Sequence, residues 1–344
     1  MQYEHCHVGL WVDCPPKTVL SHGYFRAVKD LGISELAIML DDAPRRWRPR
    51  WSLTDWEALC RMAERYGISL AITTWPYPDK RLLDTMYASL EDYLSASTCI
   101  LGEESDTEFN WKASKTKGFR GSWIAGRDRV SAFDAACEYL VAKKRDCAFE
   151  AGVRRGRAFF PDDPGYCDPP FVEQTTFAGH SEAGVHAKVA PHMDAMFLQM
   201  YSVAHRQRRN SAGEKVQYAV PWGHTYGPGS MQKWSIERAR LIPGVQSRKV
   251  ALGAGLAVWD QEFSGHTIGE ALDAAFIQTI IMGVRRIRLW SSKWLIGARS
   301  DTQRQRAVRE HVGKIISRLN KFSIVDYEGE ATIIKAGGEG SDSA

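Results

Sequence analysis

Nowhere in the chain is there an unbroken apolar run close to the eighteen or so residues of a membrane span, so no membrane insertion is expected. There is no CxxC pair either. The seven cysteines (Cys6, Cys14, Cys60, Cys99, Cys137, Cys147 and Cys167) form an odd, scattered set, which excludes a disulfide framework and a zinc knuckle and leaves buried thiols. No glycine-rich GxGxxG or Walker loop follows an apolar run, so the usual nucleotide signature is missing and no cofactor is indicated. An excess of one charge is missing too. The 45 basic and 41 acidic side chains leave a formal charge of +4, which does not imply nucleic acid as a partner. The start, MQYEHCHVGLWVDCPP, has no basic-then-apolar layout. Cytoplasmic synthesis without a signal peptide is therefore expected.

What the chain does have is 344 residues, 44% of them hydrophobic, and a recurring pattern of short apolar run, polar or aromatic loop and helical segment. Eight runs can be read as strands. They are HVGLWVD (7–13), ELAIMLDD (35–42), SLAITTW (69–75), STCILGEESD, DCAFEAGV (146–153), DAMFLQMYS (194–202), KVALGAGLAVWD (249–260) and RRIRLWSS (285–292). Helices are expected near residues 22–31, 54–66, 79–94, 131–144, 267–282 and 301–319. For the second of these, Thr54 and Glu57 read as a capping box and Gly67 as the stop. Short parallel strands separated by helices must form a helix-covered sheet, and eight of them close it into a single (β/α)8 TIM barrel. The long segment RRGRAFFPDDPGYCDPP marks the fifth unit as irregular. The barrel is expected to occupy residues 1–330. The tail, 331–344, reads as largely disordered, apart from an edge strand in EATIIKA.

In such a barrel the chemistry lies at the C-terminal ends of the strands. There the sequence places Asp13, Asp41 and Asp42, Trp75, Gln199 and Tyr201, Trp259 and Asp260, and Trp290. The fourth strand ends in ILGEESDTEFNW, which crowds Glu103, Glu104, Asp106 and Glu108 into six positions and is followed by Trp111. In extended backbone, residues two apart share a side about 6.7 Å apart, which groups Glu104, Asp106 and Glu108 and sets Glu103 opposite. Mutual repulsion raises the pKa of one member, as a general acid requires, while a neighbour stays ionised. Carboxylates beside large aromatics suit glycosidic cleavage, in which an acid protonates the leaving oxygen and a second carboxylate assists at the anomeric carbon. Indole faces offer flat surfaces for sugar rings. The same rings also serve as ordinary core, the expectation for Trp56 and Trp234 and an open alternative for Trp47, Trp51, Trp75, Trp111, Trp123 and Trp259.

On these residues the chain resembles glycoside-hydrolase TIM barrels, in particular the lysozyme-like muramidases of phage endolysins, which carry an Asp after the first strand and an Asp-x-Glu after the fourth. The matching residues are Asp13 in GLWVD and Asp106-Thr107-Glu108. The resemblance implies hydrolysis of a cell-wall polysaccharide, with peptidoglycan favoured. Glu108 would be the general acid, with Asp106 and Asp13 as supporting charges. Asp41, Trp75, Trp111, Gln199, Tyr201, Trp259, Asp260 and Trp290 would contact substrate. An unsignalled lysin would reach the wall once the host membrane is permeabilised. Glu104 extends the run to Glu-x-Asp-x-Glu, closer to the acidic triplet of chitinase-like barrels, and Ser202 stands where those have an Asp after the Tyr. Glu104 is therefore the rival acid. Two other readings stand beside this one. One is a metal-dependent amidohydrolase-like barrel, prompted by His5-Cys6-His7, although that pair comes ahead of the apolar residues of the first strand and so sits at the wrong end for chemistry, and no metal is expected. The other is a catalytically inactive carbohydrate-binding barrel.

Overall fold

A computed structural model describes residues 3–4, 6–41, 48–74, 80–95, 100–105, 139, 142, 158–159, 195–200, 205–209, 215–219, 229–240, 251–258, 267–297, 302–320, 322–327 and 330–335. The expected closed barrel is present. Its eight parallel strands are β2 (His7–Val12), β3 (Glu35–Met39), β4 (Ser69–Thr74), β5 (Ile100–Ser105), β6 (Ala158–Phe159), β7 (Ala195–Gln199), β10 (Ala251–Ala257) and β11 (Arg286–Trp290). The ring closes where β11 pairs with β2, from Arg286↔His7 to Leu289↔Leu10.

Seven strands fall within the apolar runs read from the sequence. The fifth does not: the strand joining β5 to β7 is Ala158–Phe159, through Glu104↔Ala158 and Ala158↔Ala195. The run at 146–153 lies outside the described residues. Two paired residues carry no periodicity, so this strand cannot be told from its loop by pattern.

Outside the barrel stand β1 (Tyr3–Glu4), β12 (Phe322–Tyr327) and β13 (Glu330–Lys335), a three-stranded antiparallel sheet. The expected edge strand is thus real and takes in residues 331–335. A hairpin of β8 (His205–Arg209) and β9 (Lys215–Ala219) follows β7, so the arginine cluster at 206–209, which reads as loop surface in sequence, is part of a strand.

Helices α1 (Pro16–Val19), α2 (His22–Asp30), α3 (Leu53–Tyr66), α4 (Lys80–Ser95), α5 (Ser230–Ala239), α6 (Ile268–Ile281), α7 (Ser292–Leu295) and α8 (Gln303–Leu319) complete the described elements. Side-chain oxygens of Ser21, Ser52, Thr267 and Thr302 cap α2, α3, α6 and α8. Thr267 and Glu270 form a reciprocal capping box on α6, and Gly67 ends α3 in the left-handed conformation. The cap of α3 is Ser52, whose Oγ accepts from the backbone N–H of Asp55 at 3.1 Å. Thr54 is already inside that helix. Both residues begin an S/T-x-x-acid pattern, and the earlier one takes the cap because the buried Trp51 fixes where the chain turns into the helix.

Two cores follow from the period-two alternation of the strands. Val8, Leu10, Leu36, Ile38, Leu70, Ile72, Leu256 and Leu289 join helix residues such as Phe25, Trp56 and Leu59 in the outer core. Trp11, Ala37, Ala71 and Phe197, with Trp290 against them, fill the inside of the ring. Lower in the ring, Glu35 is bound by Arg286 at 2.9 Å and by Arg288, whose guanidinium lies 4.1 Å from the centre of the Phe197 ring.

Glycines make room for these large groups. A Cβ on Gly253 would stand 2.4 Å from Phe197, and one on Gly255 would stand 2.7 Å from Trp11. Phe197 cannot swing aside easily, being held between Arg288 and Trp11. Gly253→Ala should therefore cost about 1–3 kcal/mol by overpacking. Gly23→Ala, on an open face of α2, should be neutral or stabilising. Urea unfolding of the two variants checks this, and equal midpoints would show that the ring interior can relax.

Candidate functional site

The C-terminal mouth of the barrel gathers part of the expected site. Asp13 follows β2, with its side chain 8% exposed. Its Oδ1 accepts from the Ser292 hydroxyl and from the backbone N–H of Lys293, each at 3.2 Å. The Lys293 ammonium lies 2.6 Å from Oδ2. The backbone N–H of Asp13 donates to Ser292 Oγ at 3.3 Å, and Arg50 donates to its carbonyl, also at 3.3 Å. This carboxylate is held by a cation and two hydrogen-bond donors.

Trp290 ends β11, paired with Ala257, and is partly exposed. Its ring meets Trp11 edge-on, with centroids 5.9 Å apart, so two indoles close the barrel axis below the mouth. The peptide bond from Trp290 to Ser291 is cis. Asp41 lies beyond the end of β3, buried, and its backbone bridges to Pro49.

Along the other strand ends, Glu104 occupies β5 opposite Thr73 and Glu103 opposite Ile72, which separates the two by one register position. Gln199 ends β7 opposite Gly255. Asp42, Trp75, Asp106, Glu108, Trp111, Tyr201, Trp259 and Asp260 lie outside the described residues. Asp106 and Glu108 follow within three residues of the last residue of β5, Ser105.

Some aromatics turn out to be structural. Trp51 is buried and packs edge-on against Trp56 at 6.3 Å, while its carbonyl accepts from the Tyr93 hydroxyl at 2.6 Å. Trp56 donates its indole N–H to the Tyr93 carbonyl at 2.9 Å, as befits the core residue it was expected to be.

Buried polar groups surround Asp13. Burial raises the pKa of the Cys14 thiol. Tyr24 is likewise pushed up by burial, so its phenol stays protonated. At the other end of the barrel Cys6 is raised to about 11 by burial, with Arg285 opposing. These thiols are not poised as nucleophiles. Among the described residues no group of three His, Cys, Asp or Glu side chains could hold a metal. His7 starts β2, at the end of the barrel away from the mouth, and His5 lies outside the described residues.

Reading strand ends one residue at a time finds Ser292 but overlooks Lys293 and Trp11. Extending the period of two through GLWVD and RRIRLWSS would have found Trp11, because it puts Gly9, Trp11 and Asp13 on the same side of their strand. Nothing local marks Lys293. Its partner is 280 residues away in sequence.

No protein-family model matches the chain, and no curated protein matches it in sequence. Solved structures do match. The catalytic domain of a hyperthermophilic chitinase from Pyrococcus furiosus superimposes with a TM-score of 0.52 at 12% identity, covering 91% of this chain and 95% of that one. The glycoside hydrolase domain of PgaB (BpsB) from Bordetella bronchiseptica gives 0.52 at 10% identity, over 90% and 99%. The xylanase-alpha-amylase inhibitor protein XAIP-I, solved in complex with trehalose, gives 0.50 at 10% identity, over 91% and 99%. Among the described residues no helix is long and apolar enough to cross a membrane. Likeness at these identities lies in the fold, and the fold is the TIM barrel.

Proposed function

We propose that the protein is a glycoside hydrolase that cleaves a polysaccharide, with peptidoglycan the favoured substrate, by carboxylate general acid/base catalysis. The observation that carries this reading is the mouth itself. A partly exposed Trp290 rests on Trp11 at the end of the barrel toward which β5 runs, and the acidic run continues from that strand. An indole floor and carboxylates at one end of a barrel supply what an oxocarbenium-like transition state needs: a ring platform, a proton donor and a stabilising charge. Glu108 is assigned the acid, Asp106 its supporting charge and Glu104 the alternative acid. Trp290 and Gln199 are assigned to substrate, with Trp75, Trp111, Tyr201, Trp259, Asp260 and Asp41 as further contacts. Two of the similar structures carry the words chitinase and glycoside hydrolase in their names, which agrees with this class of chemistry.

A second reading has its own observation. Asp13 is matched by Lys293 at 2.6 Å, which withdraws one of the expected negative charges from the mouth and suits a barrel that binds sugar without cleaving it. The two readings part in one experiment. The purified protein is incubated with peptidoglycan, chitin and β-mannan, and reducing ends and released fragments are followed by mass spectrometry. Fragments with new reducing ends from peptidoglycan are the expected result. Binding to these polymers with no new ends on any of them would establish the silent barrel instead.

A further inference from the structure

The geometry points to Asp13 as a positioning residue, one that clasps the turn after Trp290 to the end of the first strand and takes no part in the reaction as a charge. The sugar-binding half of this inference rests on the reading above. The clasp itself does not.

The register across the closing seam ends at Leu289↔Leu10, one residue short of Trp290. On its other side Trp290 is secured by backbone, since it pairs with Ala257 and its carbonyl accepts from the N–H of Val258 at 3.0 Å. Toward β2 the hold passes to side chains. Asp13 receives the Ser292 hydroxyl, the Lys293 N–H and the Lys293 ammonium, and returns its own N–H to Ser292 Oγ. Ser292 Oγ also lies 3.2 Å from Cys14 Sγ, but its single proton goes to the better acceptor, the carboxylate. Ser291 and Ser292, the two residues that follow the indole, are fully buried.

The ion pair argues against a direct electrostatic role. A carboxylate 2.6 Å from an ammonium presents a dipole to its surroundings, and the attraction it offers a developing cation is largely cancelled. A rigid anchor is what the same contacts supply. A sugar platform works only in one orientation, and a ring whose own residue is paired on one side alone needs such support.

Asparagine and alanine separate the roles. Asp13→Asn keeps a side-chain oxygen to accept from Ser292 and from the Lys293 N–H but removes the charge, while Asp13→Ala removes both. With soluble peptidoglycan fragments as substrate, Asp13→Ala should raise KM about tenfold, the worth of one or two hydrogen bonds, and leave kcat within about threefold. Asp13→Asn should stay close to wild type. Labelling with 5-fluorotryptophan gives a readout that needs no activity. The Trp290 resonance, assigned with Trp290→Phe, should be single and sharp in wild type and Asp13→Asn, and shifted or broadened in Asp13→Ala. Ser292→Ala should reproduce that change if Asp13→Ala does not fold. An unchanged Trp290 resonance in the alanine variants overturns the clasp. A fall in kcat of about a hundredfold or more in Asp13→Asn, with the resonance unmoved, makes Asp13 a catalytic charge instead. If wild type cleaves none of the polysaccharides, the hydrolase reading fails alone and the fluorine spectra still decide the clasp.

Discussion

Glu35→Ala is expected to destabilise the fold by about 3–5 kcal/mol, because it strands two guanidinium groups inside the barrel. Arg288 is 2% exposed and Arg286 27%, so the larger share of the loss comes from Arg288. The Phe197 face beneath Arg288 softens the isolation of that charge without replacing a carboxylate. Acid should produce part of the same loss in the wild-type protein. Burial works to raise the pKa of Glu35, but the charges and hydrogen bonds of Arg288 and Arg286 outweigh it and hold the carboxyl below its ordinary value. A carboxyl with a depressed folded-state pKa contributes stability that is complete above the unfolded value and is lost as pH falls through the folded one. The gap between wild type and Glu35→Gln should therefore be widest near neutrality and shrink below the ordinary glutamate range. Urea unfolding at pH 7 and at successively lower pH measures it. A gap that stays constant with pH would mean that the charge of Glu35 is not what the arginines need.

Glu108→Gln is expected to lower turnover by about 10²–10⁴-fold while leaving polysaccharide binding in place. The amide has nearly the shape of the carboxyl but cannot hand a proton to the glycosidic oxygen, so the loss belongs in kcat. Glu104→Gln is the necessary comparison. Glu104 sits within β5 opposite Thr73, whereas Glu108 comes three residues after the last residue of that strand in sequence. If Glu104→Gln shows the deep loss and Glu108→Gln the shallow one, the acid is Glu104 and the chitinase-like spacing is the better guide. If both retain wall-degrading activity, the acid lies elsewhere.

The barrel was legible because most of its strands are apolar runs closed off by turn residues or a helix cap. Such runs report burial on both faces, which is what a helix-covered parallel sheet imposes. Ala158–Phe159 escaped because a strand of two residues has no pattern to recognise. The cap of α3 was misplaced by two residues because Ser52 and Thr54 offer the same chemistry, and only the burial of Trp51 decides between them. The site divides along the same line. The position of Asp13 and Trp290 at the mouth was legible because strand ends can be located from the strands themselves. What Asp13 touches was not, since its partners lie 279 and 280 residues away. The charges inside the ring were equally hidden. In RRIRLW nothing local says which way the arginines face, and it is the closed sheet that turns them inward onto Glu35.

The seam between β11 and β2 also sets an order of assembly. Neighbouring βα units meet across short stretches of chain, but the first barrel strand must wait for the eighth, 279 residues further along. Closing so long a loop comes late, after the local pairings have formed. Until residue 286 has left the ribosome, the growing sheet presents two bare edges, one on β2 and one on β10, either of which could recruit a foreign strand. The clasp at Asp13 is thus among the last contacts a newborn molecule can make, and the mouth of the barrel is finished only when its two ends have met.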